Sequence, residues 1–101
     1  MKFDCLNVDD VTAFDWDDGN IDKNEKKHGI KSNLIEEVFF NEPLVIAKDV
    51  KHSEYECRCV AFGITDERKK LTVIFIKRKN KIRVISARYM SKKERVFYEN
   101  Y

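Results

Sequence analysis

Leu71-Thr72-Val73-Ile74-Phe75-Ile76, then the polar tetrapeptide Arg78-Lys79-Asn80-Lys81, then Ile82-Arg83-Val84-Ile85-Ser86-Ala87-Arg88: this stretch decides the fold. The first run is apolar at consecutive positions, so both of its faces need cover, as in a central strand. The connection has hairpin length, so the second run must return antiparallel beside the first. Upstream, Cys57 to Thr65 reads as another strand, with Gly63 a candidate bulge, and the turn Asp66-Glu67-Arg68-Lys69 leads directly into Leu71. Leu44-Val45-Ile46-Ala47 reads as a strand that ends in a polar loop from Asp49 to Glu56.

Outward from this meander, Phe14-Asp15-Trp16-Asp17 alternates apolar with acidic residues, the period-two pattern of a short half-buried strand. Asp18 to His28 is mostly polar around Ile21 and reads as a short exposed helix, with Gly29 as its left-handed stop. Ser32 is expected to cap a second helix, residues 33–40, whose Leu34, Ile35, Val38 and Phe39 form one stripe; Pro43 bars its continuation. Ser91 and Glu94 make the S-x-x-E capping box of a last helix reaching about Glu99. The order β-α-α-β-β-β-β-α implies an α+β fold of two layers, a mainly antiparallel sheet with helices packed on one side. The other face is left to solvent or a partner, and arginines on the late strands would make it a cradle for nucleic acid.

The chain has 101 residues, which suffices for one domain and one core but not for a separate cofactor-binding lobe. With 43% hydrophobic and 38% charged residues, one proline and three glycines, it is expected to be globular. Residues 1–12 lack clear periodicity and read as a flexible or lightly packed arm. The net charge of +2 hides an asymmetry. Residues 1–50 hold six Lys against twelve Asp and Glu, and residues 51–101 hold fourteen Lys and Arg against six Asp and Glu. A polyanion would dock on the basic half, because phosphate contacts supply much of nucleic-acid affinity; the alternative is that the lysines only solubilise the strands and blunt sheet edges.

Cys5, Cys57 and Cys59 fit neither a disulfide framework nor zinc-ligand spacing, and an odd count suggests a reducing compartment. Cys57 and Cys59, two apart in a strand, are expected to share a face as small buried groups. The acidic start and the lack of a long apolar run point to a cytoplasmic protein.

Five residues are candidates for chemistry. Lys27 and His28 stand at the end of the first helix, where a cation also meets the helix dipole favourably. Arg58, Arg83 and Arg88 interrupt strands that are otherwise apolar or small, so each either points to an open face or must be paired. Arginine grips phosphate with a fork and stays charged, and three near one another could hold a phosphodiester and offset its transition-state charge; a salt-bridged sheet face is the other reading. Arg83 and Arg88 are five apart, so they reach one site only if the strand bends or ends between them. His52, in the loop after Asp49, could titrate near neutrality. No Ser-His-Asp order, Gly-rich phosphate loop or paired metal carboxylates occurs. Metal-free RNA cleavage survives that filter, because RNA carries its own 2′-hydroxyl nucleophile.

Several of these pieces occur together in one family. Phe14-Asp15-Trp16-Asp17, Lys27-His28-Gly29-Ile30, Glu36 to Phe39 with Pro43, Asp49 with His52-Ser53-Glu54, Glu56 with Arg58, Gly63, Ile82 to Arg88, and Glu94-Arg95 with Tyr98 resemble, in order and spacing, the BrnT toxins. The likeness runs from about residue 13 to the end. Tyr89-Met90 departs from it, standing where small residues are expected. The resemblance implies a RelE-like fold and the toxin of a type II toxin-antitoxin system, an endoribonuclease without metal or cofactor that inhibits translation. It implies a BrnA-like DNA-binding antitoxin as partner, operator DNA reached only through that antitoxin, and a toxin dimer within the complex. Carried over by motif, it places Arg58 and Arg88 on phosphate and Lys27 at proton transfer or the leaving oxygen, with His28 and Arg83 in support. Trp16 or Tyr89 could stack on a base, though the tryptophan fits core packing better. The rival reading is a non-catalytic partner-binding or co-repressor module.

Overall fold

The computed structural model describes residue 8 and residues 10–49 and 56–101, with the backbone alone for 22–26. The described elements are β1 (Ala13–Phe14), α1 (Asp18–His28), α2 (Ser32–Val38), β2 (Val45–Lys48), β3 (Arg58–Ile64), β4 (Lys70–Arg78), β5 (Lys81–Tyr89) and α3 (Lys92–Glu99). They make an α+β fold around one sheet in the order β1-β5-β4-β3-β2. The pairs from β2 to β5 are antiparallel, as their sequential order favours, whereas β1 lies parallel to β5, so the sheet is mixed.

One face of the sheet carries the main core. Cys59 and Ala61 of β3, Leu71, Val73 and Phe75 of β4, and Ile82, Val84 and Ala87 of β5 are buried beneath Ile30, Ile35 and Val38. Leu34 and Phe39 complete the expected stripe, and the Phe39 ring meets Phe75 edge-on with centroids 5.3 Å apart. Cys57 and Cys59 lie on this face as expected, both buried, with sulfurs 3.8 Å apart. Of the N-terminal stretch, Val8 and Val11 pack against the core and Asp10 pairs with Lys77; residues 1–7 and 9 lie outside the described residues.

Four local expectations are corrected. The helices do not keep to one side. Phe62 and Ile64 alternate with the core-facing residues of β3 and so point to the opposite face, where α3 covers them: Phe97 meets Phe62 at 5.7 Å, and Tyr98 packs with Val45, Ile64 and Met90. That second apolar patch needed burial, and the chain after β5 supplies it. Ser32 does not cap α2; Lys31 holds the cap position without a side-chain hydrogen bond, and Ser32 is the first helical residue. Gly63 is no bulge but pairs regularly with Leu71. A Cβ there would stand 2.6 Å from Val38 Cγ1, so glycine serves the close approach of α2. The first strand ends at Phe14, because Asp17 is drawn into the start of α1: its carboxylate accepts from Asn20 N at 3.1 Å, and Asn20 Oδ1 accepts from Asp17 N at 2.6 Å.

Other local readings are borne out. Gly29 ends α1 at φ 69°, and Ser91 and Glu94 form the full capping box at α3. Among the described residues no helix is long and apolar enough to cross a membrane.

Candidate active site

Register and one irregularity place the arginines. Arg58 of β3 pairs with Ile76 of β4, and Ile76 pairs with Arg83 of β5, so the three side chains form one cross-strand row. Phe62, Thr72 and Arg88 form a second row, four residues away along β4 and therefore on the same face. The spacing of Arg83 and Arg88 would contradict this in a regular strand. However, Phe75 pairs with Val84 while the preceding Ile74 pairs with Ser86, which leaves Ile85 as an extra residue. This bulge restores the parity: Val84 and Ala87 both enter the core, and Arg83 and Arg88 both turn to the face opposite α1 and α2. The two rows stand about 13 Å apart along the strand, and Arg58 and Arg83 about 10 Å apart across it. Side chains at that spacing span more than one phosphate of an extended strand.

Arg88 is held by α3. Its Nη1 and Nη2 donate to Oε1 and Oε2 of Glu94 at 2.6 and 2.8 Å, a forked ion pair. Glu94 Oε1 also accepts from Thr72 Oγ1 at 3.0 Å and from Ser91 N at 2.9 Å, so the capping box and the arginine share one carboxylate. The Arg88 guanidinium, outweighing the cost of burial, and then the Ser91 N–H and Thr72 hydroxyl hold the Glu94 carboxyl down at about 2. The same pair raises the Arg88 pKa. With its side chain 40% exposed, the guanidinium is fixed in direction yet open to solvent.

Arg83 is flanked by the strand-to-helix connection. Its Nη2 lies 2.9 Å from Asp17 Oδ2 and its Nη1 lies 3.6 Å from Asp15 Oδ1. Asp17 is held below the usual carboxylate range first by the Asn20 N–H and then by Arg83. Next to the Arg58 row, Arg78 forks onto Glu56 at 2.6 and 2.8 Å, and the pKa of Glu56 is lowered mainly by Arg78, with Arg58 adding to it. Cations and acids thus alternate along this end of the face.

Lys27 and His28 close α1 just before Ile30, which is buried under the helix-covered face; Lys27 is exposed and His28 half-exposed. Among the described residues neither forms an ion pair or side-chain hydrogen bond with the three arginines. The candidates therefore divide into three arginines sharing a face and two residues on a helix. His52 lies outside the described residues. No group of three or more His, Cys, Asp or Glu is arranged to hold a metal among the described residues. Sequence reasoning found Glu94 as a cap but missed it as the Arg88 partner, and it missed the carboxylates on Arg83; the signals available were the i, i+6 spacing of Arg88 and Glu94 and the acids Asp15 and Asp17.

Residues 16–94 match the model of a family described as a ribonuclease toxin, BrnT, of type II toxin-antitoxin systems. No curated protein matches the chain.

Proposed function

The chain belongs to the BrnT family of type II toxin-antitoxin ribonuclease toxins, and from that premise we propose that it is a RelE-like, metal-independent endoribonuclease acting as a single cytoplasmic toxin domain. An antitoxin partner follows from the family; the BrnA-like, DNA-binding character of that antitoxin and a toxin dimer in the complex belong to the proposal. The observation that carries the reading is the shared face of Arg58, Arg83 and Arg88, made possible by the bulge at Ile85.

In this reading an RNA strand lies over the two arginine rows, with Arg88 at the scissile phosphate and Arg58 and Arg83 on neighbouring ones. The RNA 2′-oxygen attacks phosphorus, the bond to the 5′-oxygen breaks, and a 2′,3′-cyclic phosphate and a 5′-hydroxyl result. One proton leaves the 2′-hydroxyl and one is returned to the departing 5′-oxygen. Negative charge grows on the phosphoryl oxygens during this step, where a fixed guanidinium lowers the barrier most. Lys27 and His28 close α1 on the side of the sheet away from the arginine rows, so this reading rests on the three arginines and gives those two residues no direct part in the step.

Purified protein is expected to cut RNA with a chelator present, and Arg88→Ala to lose on the order of a hundredfold in rate with its fold checked by thermal unfolding. Intact RNA at high wild-type concentration overturns the reading. The ion pairs on Arg83 and Arg88 favour the second reading, a non-catalytic partner-binding or co-repressor surface. Growth arrest on expression that persists when all three arginines are replaced would decide for it.

A further inference from the structure

At the end of the sheet where β4 begins and β5 stops there is a hollow of about 260 Å³, lined by Arg68, Lys69, Lys70, Tyr89, Met90 and Arg95. We propose that this hollow is a subsite for one nucleotide of single-stranded RNA beside the cleaved position, its base stacked on Tyr89 and its phosphate held by Arg68 and Lys69. The proposal rests on the ribonuclease reading above.

Four cations and no carboxylate line the hollow. Two of the cations are engaged: Lys70 pairs with Glu99 at 2.6 Å, and Arg95 Nη1 donates to Met90 O at 3.0 Å. Arg68 and Lys69 are exposed, and among the described residues neither side chain makes a hydrogen bond or an ion pair. Their backbone is nevertheless fixed. Thr65, itself buried, donates its N–H to Lys69 O at 2.9 Å, while its carbonyl accepts from Arg68 N at 2.9 Å and its Oγ1 from Lys69 N at 3.1 Å. Arg68 sits at φ 69°, so the turn presents its side chain from a defined backbone.

Tyr89 is 47% exposed, although its backbone is paired with Leu71 and the next residue, Met90, donates to Lys70 O at 3.1 Å. A large flat ring on a rigid strand end, half open to water and ringed by cations, matches the two halves of a nucleotide: a π-face for the base and charge for the phosphate. An acidic peptide would need the cations alone. Tyr89 follows Arg88 in β5, so the two side chains leave the strand on opposite faces. An RNA strand crossing the arginine rows reaches the hollow by turning over the end of β5, where Lys70, paired with Glu99 of α3, and Arg95 of α3 line it.

The test uses the full chain and a 2′-O-methylated oligonucleotide, which cannot supply the nucleophile, together with copies carrying a single abasic position. Wild-type protein is expected to lose about tenfold in affinity when one particular base is removed. Tyr89→Ala should show the same loss on the intact oligonucleotide and no further loss on the abasic one, while Tyr89→Phe binds as wild type. Arg68→Ala should lower the slope of log Kd against log salt by about 0.7. If wild type cuts RNA and Tyr89→Ala binds the intact oligonucleotide equally well, the subsite is overturned and the ribonuclease reading stands; if wild type neither cuts nor binds, both fall. Unchanged RNA binding in Tyr89→Ala with lost retention of polyglutamate would overturn the subsite by assigning the hollow to an acidic partner.

Discussion

The two faces of the sheet differ in what their residues answer to. Beneath α1 and α2 the face is apolar except for Lys77 at its end, whose buried side chain pairs with Asp10, and each residue is explained by what it touches. On the opposite face apolar patches alternate with guanidinium groups, three of which are held by an acid: Arg88 by Glu94, Arg83 by Asp17 and Arg78 by Glu56. Burial sets the first face and direction of charge sets the second. Stability and activity should therefore separate when the faces are altered in turn.

The largest effect is expected from Phe75→Ala, which empties a fully buried site against Phe39. It should cost about 3–5 kcal/mol in denaturant unfolding; a cost comparable to a surface change would break the distinction between the faces. Removing Glu94 comes next. Its carboxyl is depressed from 4.5 to about 2 in the folded chain, so its stabilisation is complete above pH 4.5 and is lost as the pH falls toward 2. That contribution is at most about 3 kcal/mol. Glu94→Gln should flatten the stability profile across this window, and RNA cleavage at neutral pH should fall on the order of tenfold because Arg88 loses its direction. Unaltered cleavage would mean that Arg88 needs no fixing.

Gly63→Ala should cost about 1–3 kcal/mol through overpacking against Val38, with cleavage of the folded fraction unchanged. Ser91→Ala, which removes the hydroxyl that accepts from Glu94 N at 3.2 Å, should cost about 1 kcal/mol, read as a small drop in melting temperature.

The covered face was legible in the sequence because burial leaves a periodic trace: the stripe of Leu34, Ile35, Val38 and Phe39, and the strand from Leu71 to Ile76, needed only the periods of helix and strand. The capping box and the Gly29 stop were legible because their chemistry is local. The arginine face was not. Ile85 is an ordinary strand residue by type, and only its pairing shows that it is the extra one. The side chosen by α3 was equally hidden, since it depends on Phe62 and Ile64 needing cover on the far side of β3. The pairing of Glu94 with Arg88 follows from that choice, and their i, i+6 spacing alone did not single it out.

Asn20 carries one more consequence. β1 pairs with β5 only as far as Ile82, and beyond it the Asn20 side-chain amide donates to Val84 O at 3.3 Å as well as to Asp15 O at 2.9 Å. A single buried amide thus occupies a rim that a neighbouring molecule's strand could otherwise extend. Toxin copies crowded together before their antitoxin arrives would meet a plugged border there, and Asn20→Leu should make the chain self-associate.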